Sequence, residues 1–288
     1  MPTMKIGKQR VGDGHPCWVV AELGINHNGN LQMALEMIDE AAAAGADAIK
    51  FQKRVPELCV PRDQWEIMRD TPWGYIEYIK YRHLIEFEKD EYDVIDAHCK
   101  EWPIPWFASV WDEPSVDFMA QYNPPCYKIP SAMLTNDHVL AKVLCENKPT
   151  IISTGMSTKE EIQKFIPDLS KIAVLHCTST YPCELEHLNL RMIQTLKKWY
   201  PQHVIGYSNH SSSIIPPVNA VVLGADIVEA HFTLDRASWG TDQSASIEPH
   251  GFERMVNYIR ATEKSLGDGK KVVYGEEKII RTKLRGDV

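Results

Sequence analysis

Short runs of β-branched and aromatic residues recur about eight times along the chain, and longer amphipathic stretches separate them. The runs hold few polar residues, as is typical of strands that are buried on both faces of a parallel sheet. We predict strands at residues 17–23, 47–52, 105–110, 126–131, 150–155, 172–178, 203–208 and 227–233.

The stretches between these runs have helical spacing. Leu31, Leu35 and Ile38 fall on one face of a predicted helix that stops at Gly45, and residues 252–262 form a similar pattern before Gly267. Eight strand–helix units predict a closed (β/α)8 TIM barrel. An open doubly wound sheet is the alternative, but it usually carries a G-x-G-x-x-G turn after its first strand, which AELGINHNGN does not match.

A long excursion at residues 53–104 separates the second and third predicted strands, and it is longer than a simple strand-to-helix connection. Because loops after barrel strands line the mouth, residues 54–73 are either a substrate lid or an ordered decorative loop. We interpret residues 86–93 as a solvated helix face. The barrel is expected to span residues 1–268, and residues 269–288 form a surface tail or subunit contact.

Composition narrows the class of protein. The 288 residues are 44% hydrophobic and 24% charged, which indicates a globular chain rather than a disordered one. A net charge of −8 argues against nonspecific binding to nucleic acid or anionic membrane. The N-terminus has no apolar signal core, and seven cysteines without a C-x-x-C pair argue against disulfides and thiolate zinc. We therefore expect a cytoplasmic protein.

Two histidines close the last two predicted strands, His210 in GYSNH and His231 in VEAHFT. Neighbouring strand ends of a barrel share one mouth, so two neutral imidazoles there suit a divalent metal with open positions for substrate and water. Either histidine alone is more often structural; the pairing favours metal ligands. Such a metal acts as a Lewis acid on a carbonyl.

Lys50 and Lys128 lie at or near the ends of the second and fourth predicted strands, where an unpaired ammonium is costly. They either pair with barrel carboxylates or bind a phosphate or carboxylate ligand. Three hydroxyls at nearby strand ends favour a small, doubly anionic ligand, such as a phosphorylated carboxylic acid; they belong to Ser131, Ser153 and Ser208.

Glu22 ends the first predicted strand, beside a turn that contains Asn26. It either deprotonates or orients a substrate hydroxyl, or pairs with Lys50. Glu229 points to the same side of its strand as His231 and is expected to support the metal. Tyr181 and Asp242 are further candidates at the mouth.

Seven segments, in this order and spacing, resemble the sialic acid synthase family, which includes N-acetylneuraminate synthase and its legionaminate and pseudaminate relatives. They are AELGINHNGN, IKFQ, YKIPS, ISTGMS, LHCTSTYP, IGYSNH and VEAHFTLDRASWGTDQSAS. Single segments are weak signals, but seven in order, from about residue 19 to residue 266, are specific.

The resemblance implies a (β/α)8 barrel that condenses phosphoenolpyruvate with the open-chain aldehyde of an N-acylated hexosamine, commonly N-acetylmannosamine. The product is a nine-carbon 2-keto-3-deoxy acid. The resemblance also implies a divalent metal, Mn2+ ahead of Mg2+ or Co2+, and a homodimer. We assign the residues as metal ligands His210 and His231; phosphoenolpyruvate-binding Lys50, Gln52, Lys128, Ser131, Ser153 and Ser208; sugar-binding Asn26 and Asp242; and catalytic Glu22, Glu229 and Tyr181.

The chain departs from the family pattern in three places. Met133 stands where many members carry a glutamate near the metal, and Ser179 stands where many carry asparagine. Familiar members continue into a small antifreeze-like domain whose arginine reaches the sugar in the partner subunit. We expect no counterpart of that domain, because the sequence ends at Val288.

Three other functions remain open. Met133 and the missing domain are compatible with a barrel that binds phosphoenolpyruvate without turnover. A synthase of seven- or eight-carbon keto-deoxy sugar phosphates would share the fold, although the ordered segments fit it less well. A metal-dependent isomerase or aldolase would act on a free sugar without phosphoenolpyruvate.

Overall fold

The computed structural model describes residues 2–286. An antiparallel hairpin of β1 (Thr3–Ile6) and β2 (Gln9–Gly12) begins the chain. The elements that follow are, in chain order, β3 (Trp18–Gly24), α1 (Leu31–Ala43), β4 (Ala48–Lys53), α2 (Pro56–Cys59), β5 (Met68–Thr71), β6 (Gly74–Glu77), α3 (Tyr78–Ile85), α4 (Lys89–Glu101), β7 (Trp106–Val110), α5 (Glu113–Ala120), β8 (Tyr127–Ile129), α6 (Asp137–Cys145), β9 (Thr150–Ser153), α7 (Lys159–Phe165), β10 (Ile172–His176), α8 (Met192–Trp199), β11 (Val204–Asn209), α9 (Ile215–Val222), β12 (Ile227–His231), α10 (Pro249–Leu266) and α11 (Gly275–Arg285).

Eight parallel strands close into a barrel in the order β3, β4, β7, β8, β9, β10, β11, β12, and β12 pairs back onto β3. The predicted (β/α)8 fold and all eight predicted strands are confirmed. The strand predicted at 126–131 ends earlier, at Ile129, because Pro130 has no N–H to donate to a strand ladder. The helices predicted before Gly45 and Gly267 are α1 and α10.

Side chains alternate between the barrel interior and the surrounding helices. On β3, Val19 and Ala21 belong to the apolar layer shared with the helices, whereas Trp18 and Val20 belong to a separate interior cluster. That interior cluster also contains residues of the β1–β2 hairpin, which therefore closes one end of the barrel with side chains from Met4, Ile6 and Val11. We call this closed end the floor.

The excursion between β4 and β7 folds into short elements that pack on the loops after β3 and β12. The Tyr81 ring on α3 meets the Trp239 ring edge-on at 5.2 Å, and the close approach of Leu84 to Gly29 leaves no room for a Cβ there. Because those loops follow strand ends, the excursion lies at the mouth of the barrel. Lid movement stays a prediction.

The prediction of a solvated helix face over residues 86–93 holds only in part, because Lys89, Asp90 and Asp93 are exposed on a helix whereas Phe87 and Tyr92 are buried. Helix α4 begins only at Lys89, where Glu88 and Glu91 form a capping box. The Glu86 side chain is buried against Arg54, and Phe87 stacks on His27 with ring centroids 4.0 Å apart. Because most residues of this segment are charged, nothing in the sequence indicated that Glu86 and Phe87 face inward.

The end of the chain forms α11, which is exposed along its length and carries Ile279, Ile280 and Leu284 on its surface. This agrees with the predicted surface tail, of which residues 287 and 288 lie outside the described part. From residue 2 to residue 286, no helix combines the length and the apolar character that crossing a bilayer requires.

Candidate active site

The carboxyl ends of the strands carry a buried polar layer above the apolar floor. On β3, β4 and β12 the inward positions become Glu22, Lys50 and Glu229, and the same two-residue period places Ser109, Lys128, Ser153 and Ser208 inward. This layer lines a cavity of about 160 Å³. Its lining residues are Glu22, Lys50, Gln52, Ser109, Trp111, Lys128, Pro130, Ser131, Ala132, Ser153, Met156, Ser179, Tyr181, Ser208, His210, Glu229 and His231.

Lys50 joins the two carboxylates. Its Nζ lies 2.9 Å from Glu22 Oε2 and 3.3 Å from Glu229 Oε1, and it donates to Ser109 Oγ at 2.8 Å. Burial alone would lower the pKa of Lys50, but Glu22 and Glu229 outweigh it and the net direction is upward. Lys50 therefore stays charged, and the pairing with Glu22 predicted as one alternative is present.

The two carboxyl groups lie in different electrostatic surroundings. Burial raises the pKa of Glu22 despite the nearby Lys50. For Glu229, burial acts upward but Lys128 and Lys50 hold the pKa well below its usual range, and Ser208 Oγ donates to it at 3.0 Å. Two neighbouring carboxyl groups whose pKa values shift in opposite directions usually have distinct chemical roles. Glu22 can exchange a proton, while Glu229 stays ionised.

Lys128 and the serines form the other wall. Lys128 Nζ donates to Ser153 Oγ at 2.6 Å, and burial lowers the pKa of Lys128, partly offset by Glu229. Ser131 Oγ accepts from the Gly155 amide at 3.0 Å, and the buried Ser179 hydroxyl has no partner. An ammonium, hydroxyls and a backbone amide converge here, as in sites for small anions.

The histidines predicted as metal ligands lie side by side, with ring centroids 5.4 Å apart. His210 Nδ1 lies 2.7 Å from the Thr178 carbonyl, which can only accept, so Nδ1 carries the proton. His210 Nε2 thus keeps its lone pair, which accepts from the Tyr181 hydroxyl at 3.0 Å. Burial lowers the pKa of His210 to about 3, and the neighbouring His231 acts in the same direction.

His231 Nδ1 is buried without a hydrogen-bond partner, 3.7 Å from Asp242 Oδ2. A neutral His210, whose Nε2 lone pair accepts from the Tyr181 hydroxyl, and a His231 whose Nδ1 has no partner are the kinds of donor that a borderline divalent ion takes. An ion bound at His210 would replace the Tyr181 hydroxyl there. Within residues 2–286, no three His, Cys, Asp or Glu side chains are arranged to hold an ion by themselves. The residues fit an open two-histidine site.

Of the remaining residues discussed from the sequence, Gln52 lies at the cavity, whereas Asn26 and Met133 lie away from it. Gln52 Nε2 donates to Glu22 Oε1 at 2.8 Å, so Gln52 lies on the Glu22 side of the cavity. Asn26 is outside the lining, and its amide is committed to the Phe232 carbonyl at 2.9 Å and to Ser246 Oγ at 2.8 Å. The structure thus joins Asn26 to the loop after β12, and its predicted sugar contact remains untested. Met133 packs against the outer apolar layer instead of the cavity.

The sequence prediction missed several residues in and around the site. Ser109 follows the two-residue period at the end of β7 and was recognisable from it. Trp111 directly follows β7 and also lines the cavity. Outside the cavity lining, Arg54 and Arg82 of the excursion are buried, and both approach the carboxylate of Glu86. No local pattern indicated their burial.

The NeuB family model matches residues 37–271 of the chain. The chain is 36% identical to the N-acetylneuraminate-9-phosphate synthase of Mus musculus, over 95% of this chain and 78% of that protein. It is 33% identical to the N,N'-diacetyllegionaminic acid synthase of Legionella pneumophila, over 96% and 81%. Among solved structures, the N-acetylneuraminic acid synthetase of Leptospira borgpetersenii in complex with citrate superposes with a TM-score of 0.86 at 33% identity, covering 99% of this chain and 98% of that one.

Proposed function

The chain belongs to the NeuB family, and on this premise we propose that it condenses phosphoenolpyruvate with the open-chain aldehyde of an N-acylated aminosugar. The products are a nine-carbon 2-keto-3-deoxy acid and phosphate. The observation that carries the proposal is the buried charged layer, in which Lys50, Lys128, Glu22 and Glu229 line one cavity together with His210 and His231.

Phosphoenolpyruvate fits the wall formed by Lys128, Ser131 and Ser153, where the donors suit its phosphate and carboxylate. Glu229 is held ionised by Lys128 and Lys50 and positions both ammonium groups. The acceptor aldehyde then lies on the side of Glu22, Gln52 and His231. Because of its bond to Glu22, we now assign Gln52 to the acceptor rather than to phosphoenolpyruvate. Holding both reactants in one mouth supplies acceleration through proximity.

In the proposed reaction, the electron pair of the phosphoenolpyruvate double bond forms a bond from C3 to the aldehyde carbon. The aldehyde oxygen takes up a proton, and Glu22, with its raised pKa, is placed to carry it. Water adds to C2, and one of its protons restores the Glu22 carboxyl. The bond from C2 to the phosphate oxygen then breaks, the remaining hydroxyl proton leaves with the phosphate, and the 2-keto group is formed. A divalent ion held by His210 and His231, with Mn2+ as our first choice, supplies Lewis acidity at the carbonyl when bound.

Two further features belong to the proposal. All seven cysteines are free thiols, as is typical of proteins from reducing compartments, which supports a cytoplasmic location. The exposed apolar residues of α11 offer a surface for a second subunit, which supports a homodimer.

The test is phosphate release from phosphoenolpyruvate with Mn2+, with the product identified by mass spectrometry. The relatives' names include a nine-carbon product phosphorylated on C9 and products without that phosphate, so the panel includes N-acetylmannosamine, its 6-phosphate and diacetamido-trideoxyhexoses. We expect release with an N-acylated acceptor, little with arabinose 5-phosphate, none without an acceptor, and loss of release when the metal is chelated.

A second candidate is a barrel that binds phosphoenolpyruvate without turnover, favoured by the outward packing of Met133. Phosphoenolpyruvate binding without phosphate release on any acceptor would support that candidate and overturn the synthase. Conversion of a free sugar in the absence of phosphoenolpyruvate would instead indicate an isomerase or aldolase.

A further inference from the structure

A thiol lies behind the wall that is proposed to bind phosphoenolpyruvate. Cys177 directly follows β10 and is 5% exposed, and its Sγ lies 3.1 Å from Ser131 Oγ. Ser131 lines the charged cavity, whereas Cys177 lines a separate, outer cavity of about 580 Å³. Cys177 is therefore placed to act on a ligand through the Ser131 hydroxyl and not by direct contact.

The absence of a side chain at Gly155 lets these atoms come together. Gly155 lies two residues after the end of β9, and its amide donates to Ser131 Oγ at 3.0 Å. A Cβ at this position would lie 2.8 Å from Ser131 Oγ and 2.9 Å from Cys177 Sγ, which is closer than a Cβ normally approaches other atoms. Ser131 Oγ thus lies between a backbone donor and a thiol.

The hydrogen-bond capacity of Ser131 determines where its hydroxyl proton points. A serine hydroxyl donates one proton and accepts through two lone pairs, and the Gly155 amide uses one of these lone pairs. In one arrangement the hydroxyl donates to Cys177 Sγ. In the other, the thiol donates to the second lone pair, and the Ser131 proton is free to point toward a ligand in the cavity that Ser131 lines.

An anion in the cavity selects the second arrangement. The oxygens of an ionised phosphate only accept hydrogen bonds, so a phosphate beside Ser131 requires the hydroxyl proton. The Cys177 thiol then donates to Ser131 Oγ, which leaves none of these groups without a partner. The hydrogen bonds run in one direction, from the thiol to the hydroxyl to the phosphate, and they strengthen one another.

We propose that Cys177 is a positioning residue that directs the Ser131 hydroxyl proton toward the phosphate of phosphoenolpyruvate. The proposal rests on the proposed function, in which Lys128, Ser131 and Ser153 bind this substrate. The thiol stays protonated and forms no covalent bond. Its removal should weaken the binding of phosphoenolpyruvate and leave the KM of the acceptor sugar unchanged.

The experiment is a double-mutant cycle on phosphoenolpyruvate binding, measured by titration calorimetry with the full chain, with Mn2+ and without an acceptor. We expect Cys177→Ala to raise the Kd about 3- to 10-fold, the effect of losing one hydrogen bond. In a Ser131→Ala background the same change should alter the Kd by less than about 1.5-fold, because no hydroxyl remains to be oriented. Cys177→Ser keeps a donor and should stay within about twofold of wild type.

A matched control and a spectroscopic signature accompany the cycle. Cys183 is also buried, but its thiol donates to the Glu184 carbonyl, so Cys183→Ala should keep the wild-type Kd. Donation weakens an S–H bond, so phosphoenolpyruvate binding should lower the S–H stretching frequency of one thiol in infrared difference spectra. That change should be absent in Cys177→Ala and present in Cys183→Ala.

A purely structural role of Cys177 predicts a different pattern, in which Cys177→Ala weakens binding equally in both backgrounds. Equal effects, an unchanged Kd in Cys177→Ala, or no shift of an S–H band in the wild type would each overturn the positioning role and leave the proposed function intact. A wild-type protein that does not bind phosphoenolpyruvate would contradict the proposed function itself, and the role of Cys177 would fall with it.

Discussion

The two ends of the barrel interior are built on the same strands and differ completely in chemistry. At the floor, Trp18, Val20, Phe107 and Ile227 pack with the β1–β2 hairpin into an apolar cluster. A few residues further along the same inward-facing rows, the mouth holds buried ammonium and carboxylate groups. The floor gains free energy by excluding water, whereas the mouth concentrates desolvated charge for a ligand.

This contrast indicates a division between stability and function along each strand. Lys50 and its two carboxylate partners lie on barrel strands. The opposite ends of those strands are held together by the apolar packing of the floor. Such rigid support is what a charged site requires, since small displacements weaken its electrostatic effects. Changes at the mouth should alter activity with little loss of stability, and changes at the floor should do the reverse.

The largest expected effect is at the mouth. His231→Ala should lower kcat/KM by at least about 1,000-fold, because it removes one of the two nitrogen donors proposed to hold the metal. The temperature of unfolding should change by only a few degrees, since His231 Nδ1 has no hydrogen-bond partner in the protein. Steady-state kinetics with excess Mn2+, together with calorimetry, measure both quantities. Wild-type turnover in this variant would remove His231 from the proposed ligand set.

The second effect is at the floor. Phe107 is fully buried and stacks on Trp18 with ring centroids 5.7 Å apart, so Phe107→Ala should lower the free energy of unfolding by about 3–5 kcal/mol. Turnover per folded molecule at low temperature should remain within about threefold of wild type. Leu185→Ala, at an exposed position, is the control and should be nearly neutral. A large loss of turnover with little loss of stability would contradict the division between the two ends.

The smallest effect concerns pH. Burial lowers the pKa of His27, in the loop after β3, from 6.5 to about 3. Between these values the unfolded chain takes up a proton at His27 and the folded chain does not, so stability falls as the pH falls through this window. At pH 5 the loss is about 2 kcal/mol.

His27→Phe keeps a ring against Phe87 and should remove this part of the decline. Urea unfolding of both proteins at pH 7 and pH 5 measures it, and His15→Phe, at an exposed position, should follow the wild-type curve. Parallel declines for His27→Phe and wild type would show that another group is responsible.

The sequence predicted the barrel because the pattern that defines it is local. A strand buried on both faces reads as a short apolar run, and each of the eight runs stands between recognisable helices. Most of the polar layer could also be predicted from the sequence, because Lys50, Lys128, His210 and His231 interrupt or end apolar runs. The ends of neighbouring barrel strands then bring these residues together.

The excursion could not be predicted in the same way. Arg54, Arg82 and Glu86 are charged residues in a charged segment, and only a tertiary contact buries them. For Asn26 the sequence predicted a ligand contact, because the residue lies in the turn after the first strand. In the structure its side-chain amide instead donates to the loop after β12. Periodicity reports which way an element faces, and it carries no information about what a long loop packs against.

The closure of β12 onto β3 has a consequence for biosynthesis. Trp18 pairs with Ile227, so the first barrel strand leaves the ribosome about 200 residues before its partner, which takes roughly 10–40 s at ordinary translation rates. During that interval β3 presents an open edge, and the β1–β2 hairpin has no completed floor to cover. We therefore expect the nascent chain to be exposed to misfolding at its N-terminal strands, and a pause in translation before residue 227 to prolong that exposure.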